Sequence, residues 1–283
     1  MPGPLRAVML VLDGIAAAEA ATRTALELCR RTGAFLELVA IYDMARVERR
    51  QPGRIGSSAA AGASEQQIGA RLKERLEGEL AACGDAARAA GLRHEQRLVA
   101  CAGLPTILEQ LPRADLIVVP NTLRERRDED SIELDLGLDT TELVQHTPRP
   151  VLLVPGRPLE EGRVLIAYDG RPPSARAVAA AVHAGLLEGR LVHVLTIAED
   201  AAAAKRTGEA AAVFLSRHDV ATTLEPIQGD GSAAEMLTAL AERLQPALFV
   251  MGAQEPQGLL PWLFGGNTEQ LVARLPSPVL ACA

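Results

Sequence analysis

The chain has 283 residues, of which 48% are hydrophobic but only 2% aromatic, so its core must be assembled from Ala, Leu and Val. That balance suits an α/β protein and argues against a disordered chain or a β-sandwich. With 29 basic and 36 acidic residues the net charge is −7, and the pI is about 5.4, which removes nucleic acid and anionic membranes as expected partners.

Residues 7–12 form a short unbroken apolar run that ends in Asp13-Gly14, the pattern of a parallel strand buried on both faces. The leading MPGPLRAVMLVLDG is too short in apolar residues for a secretion signal, and no stretch reaches the length of a spanning helix, so a cytoplasmic protein is expected. Residues 16–31 carry Ala and Leu at helical spacing and stop at Gly33; residues 36–41 read as the next strand. A Gly/Ser/Ala-rich stretch around 51–64 reads as an insertion. Residues 115–119 are again a compact apolar run, and 148–154, PRPVLLV, introduce a closing strand whose prolines bar the preceding helix from continuing.

After PGRPLEEG, the expected linker at 155–162, the pattern repeats. RVLIAYDG at 163–170 answers RAVMLVLDG at 6–14, and an offset of 156 relates both Asp13 to Asp169 and Gly33 to Gly189. A helix is expected over 173–187, stopped at Gly189, then strands at 192–197, 247–251 and 276–281. An offset of 128 relates Pro148, Pro150 and Val151 to Pro276, Pro278 and Val279. Strands alternating with helices, twice over, predict parallel sheet covered by helices on both faces.

Cys29, Cys83, Cys101 and Cys282 lack C-x-x-C or Cys/His ligand spacing and are expected as buried thiols. None of the five histidines has a partner at metal-binding spacing; His183 and His193 fall in a predicted helix and strand as scaffold, and no metal site is expected. The chain has no Walker loop, no Gly-x-Ser-x-Gly and no Gly-x-Gly-x-x-Gly after either first strand, so an enzyme is the less favoured reading.

The order strand-Asp-Gly, alternating helices, a Gly-containing loop after the fourth strand and a closing Pro-x-Pro-Val-Leu strand resembles the universal stress protein family, in two tandem copies over about 1–155 and 163–283. The resemblance implies two open five-stranded parallel sheets of the adenine nucleotide alpha hydrolase-like, Rossmann-like class, paired within the chain through their last strands. Whether two chains pair further into a homodimer stays open. The family's nucleotide-binding members carry Gly, two residues, Gly, nine residues, Gly, then Ser or Thr. Here that frame falls on Gly252, Glu255, Gly265 and Gly266, matching at two positions, with Asn267 and Thr268 next and no Lys or Arg from Ala253 to Thr268. In the first copy Pro120 replaces the leading glycine. Residues 121–139 set Arg124, Arg126 and Arg127 against seven acids, so this copy reads as having lost the site, with Gly137 and Thr140 left to open the next helix.

By the same resemblance, the second copy takes ATP or another small ligand, with magnesium only where the nucleotide is bound. Asp169 and Gly170 would lie near base or ribose and the strand edge at Ile197 would present backbone to the base. Gly252, Gly258, Gly265, Gly266, Asn267 and Thr268 would line the phosphates. The open alternatives are a slow magnesium-dependent nucleotide hydrolase or phosphotransferase, with Asp169 or Glu255 on the metal, and an interaction module without nucleotide. Asp13 and Asp169 equally suit plain turn and cap roles, and the apolar loop around Trp262, GLLPWLFG, suits an interface.

Overall fold

The computed structural model describes residues 5–14, 18–43, 58–101, 104–121, 140–229, 233–253 and 275–283. In the N-terminal half β1 (Ala7–Leu12), α1 (Glu19–Thr32), β2 (Phe35–Asp43), α2 (Ser58–Ala89) and β3 (His94–Cys101) follow one another. Then come α3 (Leu104–Leu108), a 3-10 turn (Leu111–Arg113), β4 (Leu116–Pro120), α4 (Thr140–His146) and β5 (Val151–Val154). The C-terminal half comprises β6 (Val164–Ala167), α5 (Pro172–His183), β7 (Val192–Ala198), α6 (Ala201–Ser216) and β8 (Thr222–Gln228). It ends with α7 (Ala233–Leu244), β9 (Leu248–Gly252) and β10 (Val279–Cys282).

The strand order is β3-β2-β1-β4-β5-β10-β9-β6-β7-β8. Each half is a five-stranded parallel sheet, and the two run together into one hydrogen-bonded sheet of ten strands. The seam is the antiparallel pairing of β5 with β10, Leu152 opposite Leu280. Successive strand residues face opposite sides. Val8, Leu10 and Leu12 join one apolar cluster with Ala21, Ala25 and Leu28 of α1, Leu76 of α2 and Ala177 of α5. Met9 and Val11 join the other with Leu111, Leu143 of α4 and Leu237 of α7. Both clusters draw on both halves, which is how Ala, Leu and Val fill a core with few aromatic residues.

Local chemistry sets several boundaries. Gly33 closes α1 in the left-handed region at φ 71°, its N–H on the Cys29 carbonyl at 2.8 Å. The Asp200 carboxylate caps α6, accepting from the amides of Ala202 and Ala203 at 3.0 and 3.2 Å. Pro226 lies within β8, an edge strand of the sheet, where a missing N–H is tolerated. The linker packs back on the N-terminal half, with the Leu159 amide donating to the Thr24 hydroxyl at 2.9 Å.

The stretch around 51–64, read as an insertion of the first copy, runs from Ser58 into the first two turns of α2, a helix of 32 residues against 16 for α6, and its alanines favour helix despite Gly62. Residues 51–57 lie outside the described residues, as does the acidic stretch 122–139. One expectation is corrected. The helix expected to run to Leu187 ends at His183. Gly185, at φ 67°, provides the stop before Gly189 does, and the Leu186 N–H closes on the Ala181 carbonyl at 3.0 Å. Cys29, Cys83 and Cys282 are buried free thiols.

Candidate functional site

Open parallel sheets offer a crevice beyond the carboxyl ends of the strands where the strand order reverses. In the C-terminal half that point lies between β6 and β9. Their register pairs Ala167 with Met251, so Tyr168-Asp169-Gly170 and Gly252-Ala253 emerge on the same rim. β6 stops at Ala167, opposite Leu195, whereas β7 continues to Ala198. Ile197 therefore lies where β7 outruns its neighbour, with one edge of backbone turned to the crevice. Asp169, Gly170, Ile197 and Gly252 are thus brought to one rim. Gly258, Gly265, Gly266, Asn267 and Thr268 lie outside the described residues, as do Glu255 and Trp262.

Asp169 is held firmly. Its Oδ1 accepts the Arg171 N–H at 2.9 Å and the Ser174 hydroxyl at 2.6 Å, and the Arg171 guanidinium stands 3.7 Å from Oδ2. This is an Asp turn that fixes the entry to α5. The carboxylate remains 14% exposed, with Oδ2 on the less occupied side. Burial and the Asp169 charge push the neighbouring Tyr168 phenol above its ordinary pKa. Gly170, at φ 78°, completes the turn below Thr207 of α6.

Gly252 has a different reason to be glycine. A Cβ there would lie 2.5 Å from the Ser174 nitrogen and 2.7 Å from the Pro173 carbonyl carbon, so the start of α5 packs directly on the β9 backbone. Pro172 and Pro173 also remove two of the amides that a helix start normally offers to an anion. The described residues therefore suit the uncharged part of a ligand: a carboxylate for hydroxyls or amines and a strand edge for a planar ring. They do not by themselves cradle phosphates. Sequence reading missed Ser174. Its signal was the serine five residues after Asp169, at the third position of a helix opened by two prolines.

The corresponding rim of the N-terminal half is closed. The β1–β4 register, Leu10 opposite Val118, carries Asp13 alongside Asn121, and both are buried, 7% and 3% exposed. A Cβ on Gly14 would lie 3.0 Å from both Leu72 and Leu76 of α2, and Gly14 is buried; at the exposed Gly170 a Cβ would meet only Thr207 of α6, at 3.3 Å. Ala18 stands where Ser174 stands in the repeat, and it makes no capping hydrogen bond. Thr140 does open α4.

Among the described residues there is no cluster of three or more His, Cys, Asp or Glu positioned for a metal ion, and no helix is long and apolar enough to cross a membrane. His193 pairs with Glu225 across β7 and β8 at 3.1 Å, a cross-strand contact away from this rim.

Residues 161–283 match the model of the Universal stress protein family. A universal stress protein from Archaeoglobus fulgidus has a similar structure at TM-score 0.62 and 15% identity, over 97% of this chain and 95% of that one. A functionally unknown protein from Pseudomonas aeruginosa is similar at TM-score 0.58 and 19% identity, over 98% of this chain and 92% of that one. At such identities the likeness is one of fold, and it spans both halves. No curated protein matches the chain in sequence.

Proposed function

We propose, from the premise that residues 161–283 belong to the universal stress protein family and that its fold is repeated over the N-terminal half, that this is a non-enzymatic stress-response protein with one ligand site. That site is in the C-terminal copy, about 163–283, and takes an adenine nucleotide such as ATP or a similar small ligand. The N-terminal copy, about 1–155, serves as its pairing partner across β5 and β10. The observation that carries the reading is the difference between the two rims. Asp169 is partly exposed and Gly170 exposed at the rim they share with Ile197 and Gly252, whereas Asp13 and Gly14 are buried, Gly14 against Leu72 and Leu76.

On this reading the Asp169 carboxylate orients a ligand hydroxyl or amino group, and the backbone of β7 at Ile197 lines a planar base. Phosphate contacts fall to Gly258, Gly265, Gly266, Asn267 and Thr268, with magnesium recruited only alongside the phosphates. The test is native mass spectrometry of freshly purified full-length protein, with thermal unfolding in magnesium-ATP. Retained nucleotide, or a stabilisation that grows with ATP concentration and is lost in Asp169→Ala, supports the reading. Absence of both assigns the chain to protein interaction instead, and steady phosphate release that depends on Asp169 assigns it to hydrolysis.

A further inference from the structure

Among the described residues, two of the cavities lie away from the rim just described. The larger, about 630 Å³, sets Arg190 and Arg217 against Glu188 and Asp219, so it selects no sign of charge. The smaller, about 470 Å³, is built from both halves: the amino ends of β1, β4 and β5 form one wall and α5 forms the other. It gathers Arg6, Arg149, Arg176 and His183 against a single acid, Asp115.

Asp115 Oδ2 accepts the backbone amides of Arg6 and Ala7 at 2.9 and 3.0 Å, which ties the acid to the end of β1 and keeps its charge in place. Arg149 donates through Nη2 to the Pro112 carbonyl at 2.8 Å, but its Nε is buried without an acceptor. Arg176 is already engaged through Nε, on the main-chain oxygen of Ala283 at 2.7 Å. The Arg6 guanidinium, exposed, has no hydrogen bond or ion pair among the described residues, and neither Arg6 nor Arg149 has a carboxylate partner there. In a chain of net charge −7, three guanidiniums and a single carboxylate line this groove, a local excess of positive charge that favours an anion. The rest of the lining is apolar and small, with Leu5, Pro150, Ala180 and Ala184, which leaves room for methylenes.

We propose that this groove between the two halves binds a small organic carboxylate, its head on Arg6 and Arg149 and its apolar body along Ala180 and Ala184 of α5. A planar carboxylate matches the guanidinium fork with two parallel hydrogen bonds, and the apolar walls distinguish it from a free inorganic anion. The site is independent of the reading of the Asp169 rim.

Hexanoate is the probe, titrated into the ¹⁵N-labelled full-length protein and followed by amide chemical shifts. Saturable shifts at Arg6, Ala180 and Ala184, with Gly170 and Gly252 unmoved, are expected. Arg6→Gln, at an exposed side chain that supports nothing else, should weaken hexanoate about tenfold, equivalent to about 1.4 kcal/mol. Arg176→Gln should weaken it as well, and hexan-1-ol should not bind. The proposal is overturned if hexanol shifts the same amides equally, if Arg6→Gln changes nothing, or if inorganic phosphate binds as tightly as hexanoate. Hexanoate shifts confined to Gly170 and Gly252 also overturn it, while leaving a ligand at the other rim.

Discussion

Gly252 and Ser174 meet so closely that a methyl group on Gly252 would stand 2.5 Å from the Ser174 nitrogen. This contact lets α5 begin directly against β9, which fixes where Asp169, bonded to the same serine, enters the crevice. The rim is therefore shaped by a strand, a turn and a helix start that depend on one another.

Gly252→Ala should accordingly destabilise the protein by about 1–3 kcal/mol, the usual cost of overpacking a tight contact. Gly156, which is exposed and has open space where a Cβ would go, is the control; Gly156→Ala should stay within about 0.5 kcal/mol. Urea unfolding of both variants measures the difference, and equal midpoints would refute the packing argument.

The Asp169–Ser174 bond invites a double-mutant cycle. Asp169→Asn and Ser174→Ala should each cost about 0.5–1.5 kcal/mol. The pair should show a coupling of at least about 0.5 kcal/mol, because both side chains share one hydrogen bond. Additive losses would mean that the turn is held by the Arg171 amide alone.

Cys29 and Cys282 have thiol pKa values pushed up to about 12 by burial. Both should resist iodoacetamide at pH 8 in the folded protein and react in urea, as mass spectrometry of the alkylated chain would reveal. A thiol whose folded pKa is raised stabilises the fold below its unfolded value and loses that contribution as pH rises through the folded one. Stability should therefore fall between about pH 9 and about 12.

Glu79, on α2 beneath the closed N-terminal rim, has its carboxyl raised by burial and by the Asp13 charge, against the lowering effect of Arg75. Its Oε2 is buried without a hydrogen-bond partner. Because the folded pKa is raised, the protonated form favours the fold and the advantage is lost as pH rises through that value. Glu79→Gln should raise the urea midpoint at pH 7 by a few tenths of a molar, equivalent to up to about 1 kcal/mol. The gain should shrink toward pH 4; a loss of stability at pH 7 would show that the Arg75 contact outweighs burial.

Much of the fold was legible because buried parallel strands need unbroken apolar runs and each of these ends in an informative residue. Asp13-Gly14 and Asp169-Gly170 marked the first strands of both halves, and the prolines before Val151 and Val279 marked the last. The end of α5 was less legible, since Gly185 and Gly189 both suit a helix stop and only local closure chooses between them. The start of α2 was read as insertion because Ala, Ser and Gly there carry no apolar stripe. At the candidate site Asp169 and Gly252 were found from their place at strand ends. Ser174 was not, because its role depends on a turn that folds it back five residues.

What the sequence by itself determined is the doubled strand-helix pattern, since periodicity and composition act locally along the chain. The tertiary structure alone decided that β5 and β10 close the seam, that Leu72 and Leu76 pack on Gly14 and Asp13 is buried while Asp169 keeps partial exposure, and that Arg6, Arg149 and Arg176 line one groove. Those relations join residues dozens to more than a hundred positions apart. They arise from how helices and strands from distant segments pack against one another, which no local pattern encodes.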